Sequence, residues 1–253
     1  MDNEIFTRNS LFWGEENQKL LSTRNIAVFG LGGVGGFCAE TLVRAGIGNL
    51  TIIDIDTVSK SNINRQIIAL NSTIGQKKTS LFEKRLKDIN PEINLKIIDD
   101  FYNSDELVID FDTEKYDYVA DAIDTMRSKI HLLESCYKNN IPVISSMGAG
   151  NRIDPTKLYI SDLKDIENRN APFVSNVIYQ LKKLGITEGI TFVSSREKPF
   201  VQEKITEKEQ ITTTGGLNIE FNKITPASTP FVASVAGIYM ASHIVQNLIK
   251  DFK

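Results

Sequence analysis

The chain has 253 residues, 41% of them hydrophobic and 24% charged, and a formal net charge of −3, the composition of an ordinary globular protein. That balance excludes a global electrostatic attraction to nucleic acid, so any RNA contact has to come from a local basic patch. Two distant cysteines, Cys38 and Cys136, with no C-x-x-C pair, exclude a structural zinc site of the usual kind and fit a reducing, cytoplasmic setting.

The acidic start Met1-Asp2-Asn3-Glu4 lacks an apolar core and does not read as a signal peptide. Ile26 to Phe29 is a short apolar run ending at a glycine, the pattern of a buried strand. From Val34 to Ala45 the apolar residues Val34, Phe37, Cys38, Leu42 and Ala45 recur at helical spacing. A second strand follows at Leu50 to Ile53, a helix from Gln76 to Ile89, and a third strand at Leu95 to Ile98. Tyr116 to Ala120 predicts a fourth strand, Met126, Ile130, Leu133 and Tyr137 a helix face, and Ile141 to Ser145 a fifth strand. Strands alternating with helices imply an α/β fold: a Rossmann-like, doubly wound, mostly parallel sheet. The alternation fails after about Gly150. Leu158 to Leu163 predicts a strand, Phe173 to Leu184 a helix, and Glu197 to Gly216 a polar surface loop or hairpin. The apolar run from Phe231 to Ile249 is interrupted by Ser234, Ser242, His243, Gln246 and Asn247, which favours a buried helix over a membrane span. We read residues 1–253 as a single domain, a nucleotide-binding part (1–150) with a C-terminal extension (151–253) packed on it.

Gly30-Leu31-Gly32-Gly33-Val34-Gly35 joins the first strand to the first helix. Glycines there let a phosphate approach the backbone, and the helix start adds amide donors and positive partial charge. Asp54 ends the second strand, where an acid accepts from ribose hydroxyls. Strand, loop, helix, strand and acid together imply a nucleotide, and the literal G-x-G-x-x-G match alone would favour NAD. The next segment argues otherwise. Asp54-Ile55-Asp56-Thr57-Val58-Ser59-Lys60-Ser61-Asn62-Ile63-Asn64-Arg65-Gln66 is dense in groups that a dinucleotide does not need and a triphosphate does. Gly75-Gln76-Lys77-Lys78 opens the next helix with lysines, and Asp121 and Asp124 flank the end of the fourth strand, where an acid can hold Mg²⁺ against phosphate.

The series GxGGVG, DxDxVxxSNxNRQ, GQxK and a DxxD strand end resembles the ubiquitin-activating-type adenylating family, whose bacterial members include ThiF, MoeB and HesA. The likeness covers roughly residues 5–150. It implies that Gly30, Gly32, Gly33 and Gly35 cradle ATP, that Asp54 binds ribose, that Asn62, Arg65 and Lys78 contact phosphates, and that Asp124 holds Mg²⁺. Arg8, in Phe6-Thr7-Arg8-Asn9, matches an arginine that reaches the partner subunit's site in a homodimer. Arg65, Lys78, Asp124 and Arg8 form the implied catalytic set. Asp56 joins the nucleotide-binding set, with a loop cap that accepts backbone amides as its bland alternative.

Within that family, Ser146-Met147-Gly148-Ala149-Gly150-Asn151-Arg152-Ile153-Asp154-Pro155-Thr156 is similar to a stretch of the tRNA threonylcarbamoyladenosine dehydratases. So are Asp99-Asp100-Phe101, Asp121-Ala122-Ile123-Asp124, and Pro226-Ala227-Ser228 leading to Ser234-Val235-Ala236-Gly237. This resemblance implies adenylation of the threonyl carboxylate of a modified adenosine in tRNA, followed by cyclisation with net loss of water. A sulfur-transfer or carrier protein is a further partner, and activation of a small ubiquitin-like sulfur carrier is the rival function. The missing zinc cysteines and crossover-loop cysteine count against the rival. Cys38 and Cys136 both read as core residues. His131 and His243 read as structural, Trp13 as packing, and Asp121 equally as structural or ligating. The lysines and arginines of the second half, among them Arg152, Lys182, Lys183, Arg196 and Lys198, read equally as solvated surface or as an RNA patch. An NAD-dependent oxidoreductase or a non-catalytic nucleotide-binding module is the third alternative, and Asn62, Arg65 and Lys78 count against it.

Overall fold

The computed structural model describes residues 3–102, 109–111, 113–169, 171–200, 206–212, 218–224 and 226–249. Two helices, α1 (Asn3–Trp13) and α2 (Glu15–Thr23), precede the first strand. The alternating part then runs β1 (Asn25–Phe29), α3 (Gly35–Ala45), β2 (Asn49–Ile53), α4 (Lys78–Ile89), β3 (Asn94–Ile98), β4 (Tyr118–Asp121), α5 (Met126–Lys138) and β5 (Val143–Ser146). The remainder is β6 (Leu158–Asp162), α6 (Pro172–Lys183), β7 (Thr191–Ser195), β8 (Thr206–Thr212), β9 (Asn218–Ile224) and α7 (Pro230–Leu248).

Seven strands form one sheet in the order β3-β2-β1-β4-β5-β7-β6, parallel throughout except that β6 runs antiparallel to β7 at the edge. Each strand's alternate side chains serve opposite faces. On β1, Ile26 and Val28 join one apolar cluster with Leu42 of α3, Phe82 of α4 and Ile244 of α7. Ala27 and Phe29 point the other way, toward Leu132 and Leu133 of α5 and Val177 and Leu181 of α6. Burial on both faces is why these strands read as unbroken apolar runs.

The C-terminal extension supplies structure to this sheet as well as cover for it. β7 continues it beyond β5, and Pro230 at the first turn of α7 starts a helix that lies against α3. The approach is close: a Cβ at Gly237 would sit 2.2 Å from the carbonyl oxygen of Val34. By length and composition α7 could cross a membrane, but Val232, Ala236, Met240, Ala241 and Ile244 are spent on the core, as the sequence reading expected. Strands β8 and β9 pair antiparallel as the expected hairpin, displaced toward the C-terminus; residues 201–205 and 213–217 of that segment lie outside the described residues.

Three elements escaped the sequence reading. Strand β7 went unseen, as did α1 and α2. The N-terminal pair is docked by a few specific contacts: Phe6 is buried, Asn9 Nδ2 donates to the Arg44 carbonyl (2.8 Å), and buried Gln18 bridges Trp13 and the Ala45 carbonyl.

Candidate active site

Strand order reverses between β1 and β4, and parallel sheets of this kind open a crevice beyond the carboxyl ends of the strands at such a point. A cavity of about 390 Å³ lies there. Its floor is the loop after β1. Gly30 adopts φ +85°, and a Cβ at Gly35 would fall 1.7 Å from the Gly30 carbonyl oxygen, so the chain turns back on itself to start α3. Gly30, Gly32 and Gly33 line the cavity, and Gly35 lies just beneath them, serving the turn rather than the lining.

Asp54 does two jobs. Its carboxylate accepts from the Leu31 amide (2.6 Å) and the Asp56 amide (2.7 Å), which ties the end of β2 to the glycine loop. Each oxygen keeps a second lone pair for a hydroxyl in the cavity. Burial raises its pKa above the ordinary aspartate value, against the pull of Lys78 and the two amide bonds. The loop-capping role entertained for Asp56 therefore belongs to Asp54. Asp56 instead accepts from Lys78 Nζ at 2.7 Å, and the same ammonium stands 3.9 Å from Asp54. Lys78 is almost wholly buried at the start of α4, whereas its neighbour Lys77 turns outward to pair with Asp99.

The polar segment after β2 wraps the far side. A single turn of 3-10 helix, Lys60–Asn62, is closed by Asn62 Oδ1 accepting from the Ser59 amide (3.1 Å), which leaves the Asn62 Nδ2 donors for the cavity. One nitrogen of Arg65 donates to the Ser61 carbonyl (2.8 Å) and Asn64 Oδ1 (2.9 Å), holding the guanidinium over the glycine loop, where a Cβ on Gly33 would lie 3.3 Å from Arg65 Cγ. Asn64 in turn donates to the Ser228 carbonyl (2.8 Å), so the segment leading into α7 closes the wall. Asp124, exposed on the segment after β4, faces this set across the cavity.

Nine of the expected residues thus surround one cavity: Gly30, Gly32, Gly33, Asp54, Asp56, Asn62, Arg65, Lys78 and Asp124. Arg8 does not join them; it is exposed on α1, away from the lining residues of its own chain. Asp121 is settled as structural. Its carboxylate is fully buried, with Lys129 Nζ at 2.5 Å and Ser145 Oγ donating at 2.6 Å, while its other oxygen accepts from the Ile123 amide at 3.0 Å. Lys129 was missed because a lysine in a helical stripe reads as solvated; it is the partner that a buried strand-end aspartate demands. Gln66, buried at the cavity edge with Oε1 unpaired, was also missed, although it closes the NxNRQ string. His131 is held by the Tyr102 hydroxyl (2.9 Å). Both cysteines are buried, and burial pushes both thiols far up.

The model of the ThiF family matches residues 6–251. The chain belongs to the ThiF family. Along nearly its whole length this ThiF-family chain is similar to a tRNA threonylcarbamoyladenosine dehydratase of Bacillus subtilis (strain 168), 41% identical over 248 residues, 98% of this chain and 96% of that one. The crystal structure of the E. coli tRNA N6-threonylcarbamoyladenosine dehydratase in complex with ATP has a TM-score of 0.83 at 31% identity, covering 97% of this chain and 94% of that chain. The likeness to the molybdopterin-synthase adenylyltransferase of Escherichia coli (strain K12) is partial: 32% identity over 139 residues, 55% of this chain and 54% of that one. The match runs through the C-terminal extension, where the motifs Ser146 to Thr156 and Pro226 to Gly237 already carried the resemblance.

Proposed function

We propose that this protein is an ATP-dependent dehydratase that adenylates the threonyl carboxylate of N6-threonylcarbamoyladenosine in tRNA and promotes its cyclisation. The observation that carries the reading is one cavity where Asn62, Arg65 and Lys78 confront Asp124 over a glycine loop, in a chain similar from end to end to the Bacillus dehydratase. Molybdopterin-synthase activation, the nearer form of the carrier-protein rival, corresponds to a likeness over only 139 residues.

In this reading Asp54 accepts from the ribose hydroxyls, and the backbone of Gly30, Gly32 and Gly33 lets the phosphates lie close. Asn62 Nδ2, the free edge of Arg65 and the Lys78 ammonium donate to phosphoryl oxygens. Lys78 is already desolvated and oriented by Asp56, so it needs little reorganisation when a phosphate arrives. Mg²⁺ fits this donor set. Among the described residues there is no cluster of three or more His, Cys, Asp or Glu side chains, and Mg²⁺ needs none, because it takes one or two carboxylates and completes its shell with phosphates and water. Asp124 would hold it, and its charge would offset the charge on the phosphates.

A carboxylate oxygen of the substrate forms a bond to the α-phosphorus as the bond to the β-phosphate bridge breaks and pyrophosphate leaves. A nitrogen or oxygen of the same modification then bonds to the acyl carbon and gives up its proton. AMP leaves with the former carboxylate oxygen, which is the net loss of water. The second step is within one molecule, so proximity supplies much of it and no enzyme nucleophile is needed. Deeply buried Cys38 and Cys136 suit that chemistry. Arg8, exposed on α1, is available to a second copy, and we assign it to the neighbour's site in a homodimer acting in the cytoplasm.

The test is mass spectrometry of tRNA nucleosides after incubation with protein, ATP and Mg²⁺. The modified nucleoside should lose the mass of one water, with AMP and pyrophosphate released in equal amounts. An unchanged nucleoside, with adenylation instead of a peptide ending in Gly-Gly, would replace this function with carrier activation.

A further inference from the structure

A second cavity, of about 810 Å³, opens beside the first and shares part of its wall, including Asp124, Ala149 and Pro226. It is roughly twice the volume of its neighbour and differs in character. Met147, Pro172, Phe173 and Pro199 make much of its lining apolar. Two of its polar side chains are fixed by the surrounding backbone. Asn151 Oδ1 accepts from the Ala227 amide (2.8 Å), and Asn168 Nδ2 donates to the carbonyls of Ser195 (3.3 Å) and Glu197 (3.2 Å).

Arg152 also lines the chamber. It is 93% buried, since only 7% of its surface is exposed. One terminal nitrogen donates to the carbonyls of Gly148 (2.5 Å) and Gly150 (3.2 Å), but Nε is buried without a partner. An arginine has donors only, so an orphaned one beside an apolar chamber calls for an acceptor oxygen from a ligand. Burial pulls the Arg152 pKa down, the direction expected of a guanidinium whose surroundings do not fully compensate it.

We infer that this chamber seats the modified adenosine itself, turned out of its RNA strand, with its base against Phe173 and a carbonyl or carboxylate oxygen of its side chain on Arg152 Nε–H. The inference rests on the proposed function and adds the place and the means of recognition. A flat, largely apolar base suits a chamber walled by Phe173 and prolines, since proteins read single-stranded bases by stacking them on such side chains. The shared wall makes the chemistry possible: an acyl group reaching past Asp124 enters the nucleotide cavity, where the α-phosphorus would lie. A peptide ending in Gly-Gly carries no ring to set against Phe173, so the chamber suits it less well.

The probe is an anticodon stem-loop RNA with and without the N6-threonylcarbamoyl group, titrated into the full chain loaded with a non-hydrolysable ATP analogue. The wild type should prefer the modified RNA on the order of tenfold or more, the scale of one hydrogen bond to a charged group. Arg152→Met should erase most of that preference with little change for the unmodified RNA, whereas Phe173→Ala, which removes the seat of a base common to both RNAs, should weaken both on the order of tenfold; affinity for the ATP analogue should stay within about twofold in each. Retained binding of the ATP analogue shows that each variant is folded, and two variants on different elements guard against failure of either one. A preference that survives Arg152→Met, or RNA binding that Phe173→Ala leaves unweakened, overturns the chamber and leaves the proposed function standing. A wild type that adenylates a Gly-Gly peptide and leaves modified tRNA unchanged overturns the function as well.

Discussion

Replacing Lys129 with methionine keeps the side chain's length and removes its charge, leaving the Asp121 carboxylate buried beneath the active-site wall with only Ser145 Oγ and the Ile123 amide for company. At 2.5 Å the gross attraction in this pair is about 6–7 kcal/mol for an effective dielectric near 20. Much of that repays the desolvation of the two ions, so the gross figure is not the expected loss. Breaking such a pair from one side costs about 3–5 kcal/mol, because the surviving charge stays buried. Against a total stability of about 5–15 kcal/mol this is severe. With a urea slope of about 3 kcal/mol per molar, the midpoint should fall by about 1–1.7 M. The double variant Asp121→Asn, Lys129→Met removes both charges and keeps an acceptor for the Ile123 amide; it should recover about half of the loss or more. The assay is urea denaturation followed by circular dichroism on wild type, both single variants and the double. Additive losses, within about 0.5 kcal/mol, would mean that the two groups do not act as a pair and would refute the reasoning.

Arg65→Ala and Asp124→Ala should keep the far-ultraviolet dichroism of the wild type and slow substrate-dependent pyrophosphate release on the order of a hundredfold, the usual effect of losing transition-state charge stabilisation; undiminished release in either variant removes that residue from the site. Burial alone would raise the Glu40 carboxyl, but bonds from Arg85 and Arg44 outweigh it and hold it below the ordinary value. Its folded pKa is therefore below the unfolded one, so its contribution to stability is complete well above about pH 4.3 and is lost as pH falls through the folded value. Glu40→Gln should flatten the stability–pH curve between about pH 5 and pH 3, and a curve parallel to the wild type's would count against the ion-pair account. Replacing Cys38 and Cys136 together with alanine should lower stability by about one to a few kcal/mol and preserve cyclisation; a folded variant that forms acyl-adenylate but no cyclised nucleoside would put a thioester into the mechanism.

The alternating half of the fold was legible because burial on both faces forces unbroken apolar runs onto the inner strands, and helices over them carry 3.6-residue stripes; boundaries read from Ile26, Leu50 and Leu95 fall within a residue of β1, β2 and of β3, a half-exposed edge strand that Lys96 interrupts. What failed to show had weaker local signals. Strand β7 is a short run, Phe192-Val193, between threonine and serines, made buried by β5 on one side and β6 on the other. Helices α1 and α2 lack a broad apolar stripe, with Leu11 and Phe12 left exposed, and are fixed by Phe6, Asn9 and Gln18 reaching the end of α3. Such long-range contacts leave no periodic trace.

The site was legible for a related reason and obscure for a different one. Glycines, acids and amides crowded after two strand ends have no use in a core, so their density marked the nucleotide cavity without any structure. Their division of labour is a matter of geometry. Asp54 and Asp56 are equivalent in composition, yet only Asp54 can reach the Leu31 amide, and only Asp56 lies within 3 Å of Lys78, at 2.7 Å. Likewise Asp121 and Asp124 stand three residues apart at the same sheet edge; one is sealed against Lys129 and the other is open to the cavity. The sealed one bonds the Ile123 amide and so fixes the short segment from which the open one projects. The buried carboxylate and the one we propose to hold Mg²⁺ thus form one device. That is why loss of Lys129 should be felt first in stability and then, through the Ala122–Thr125 wall, at the nucleotide.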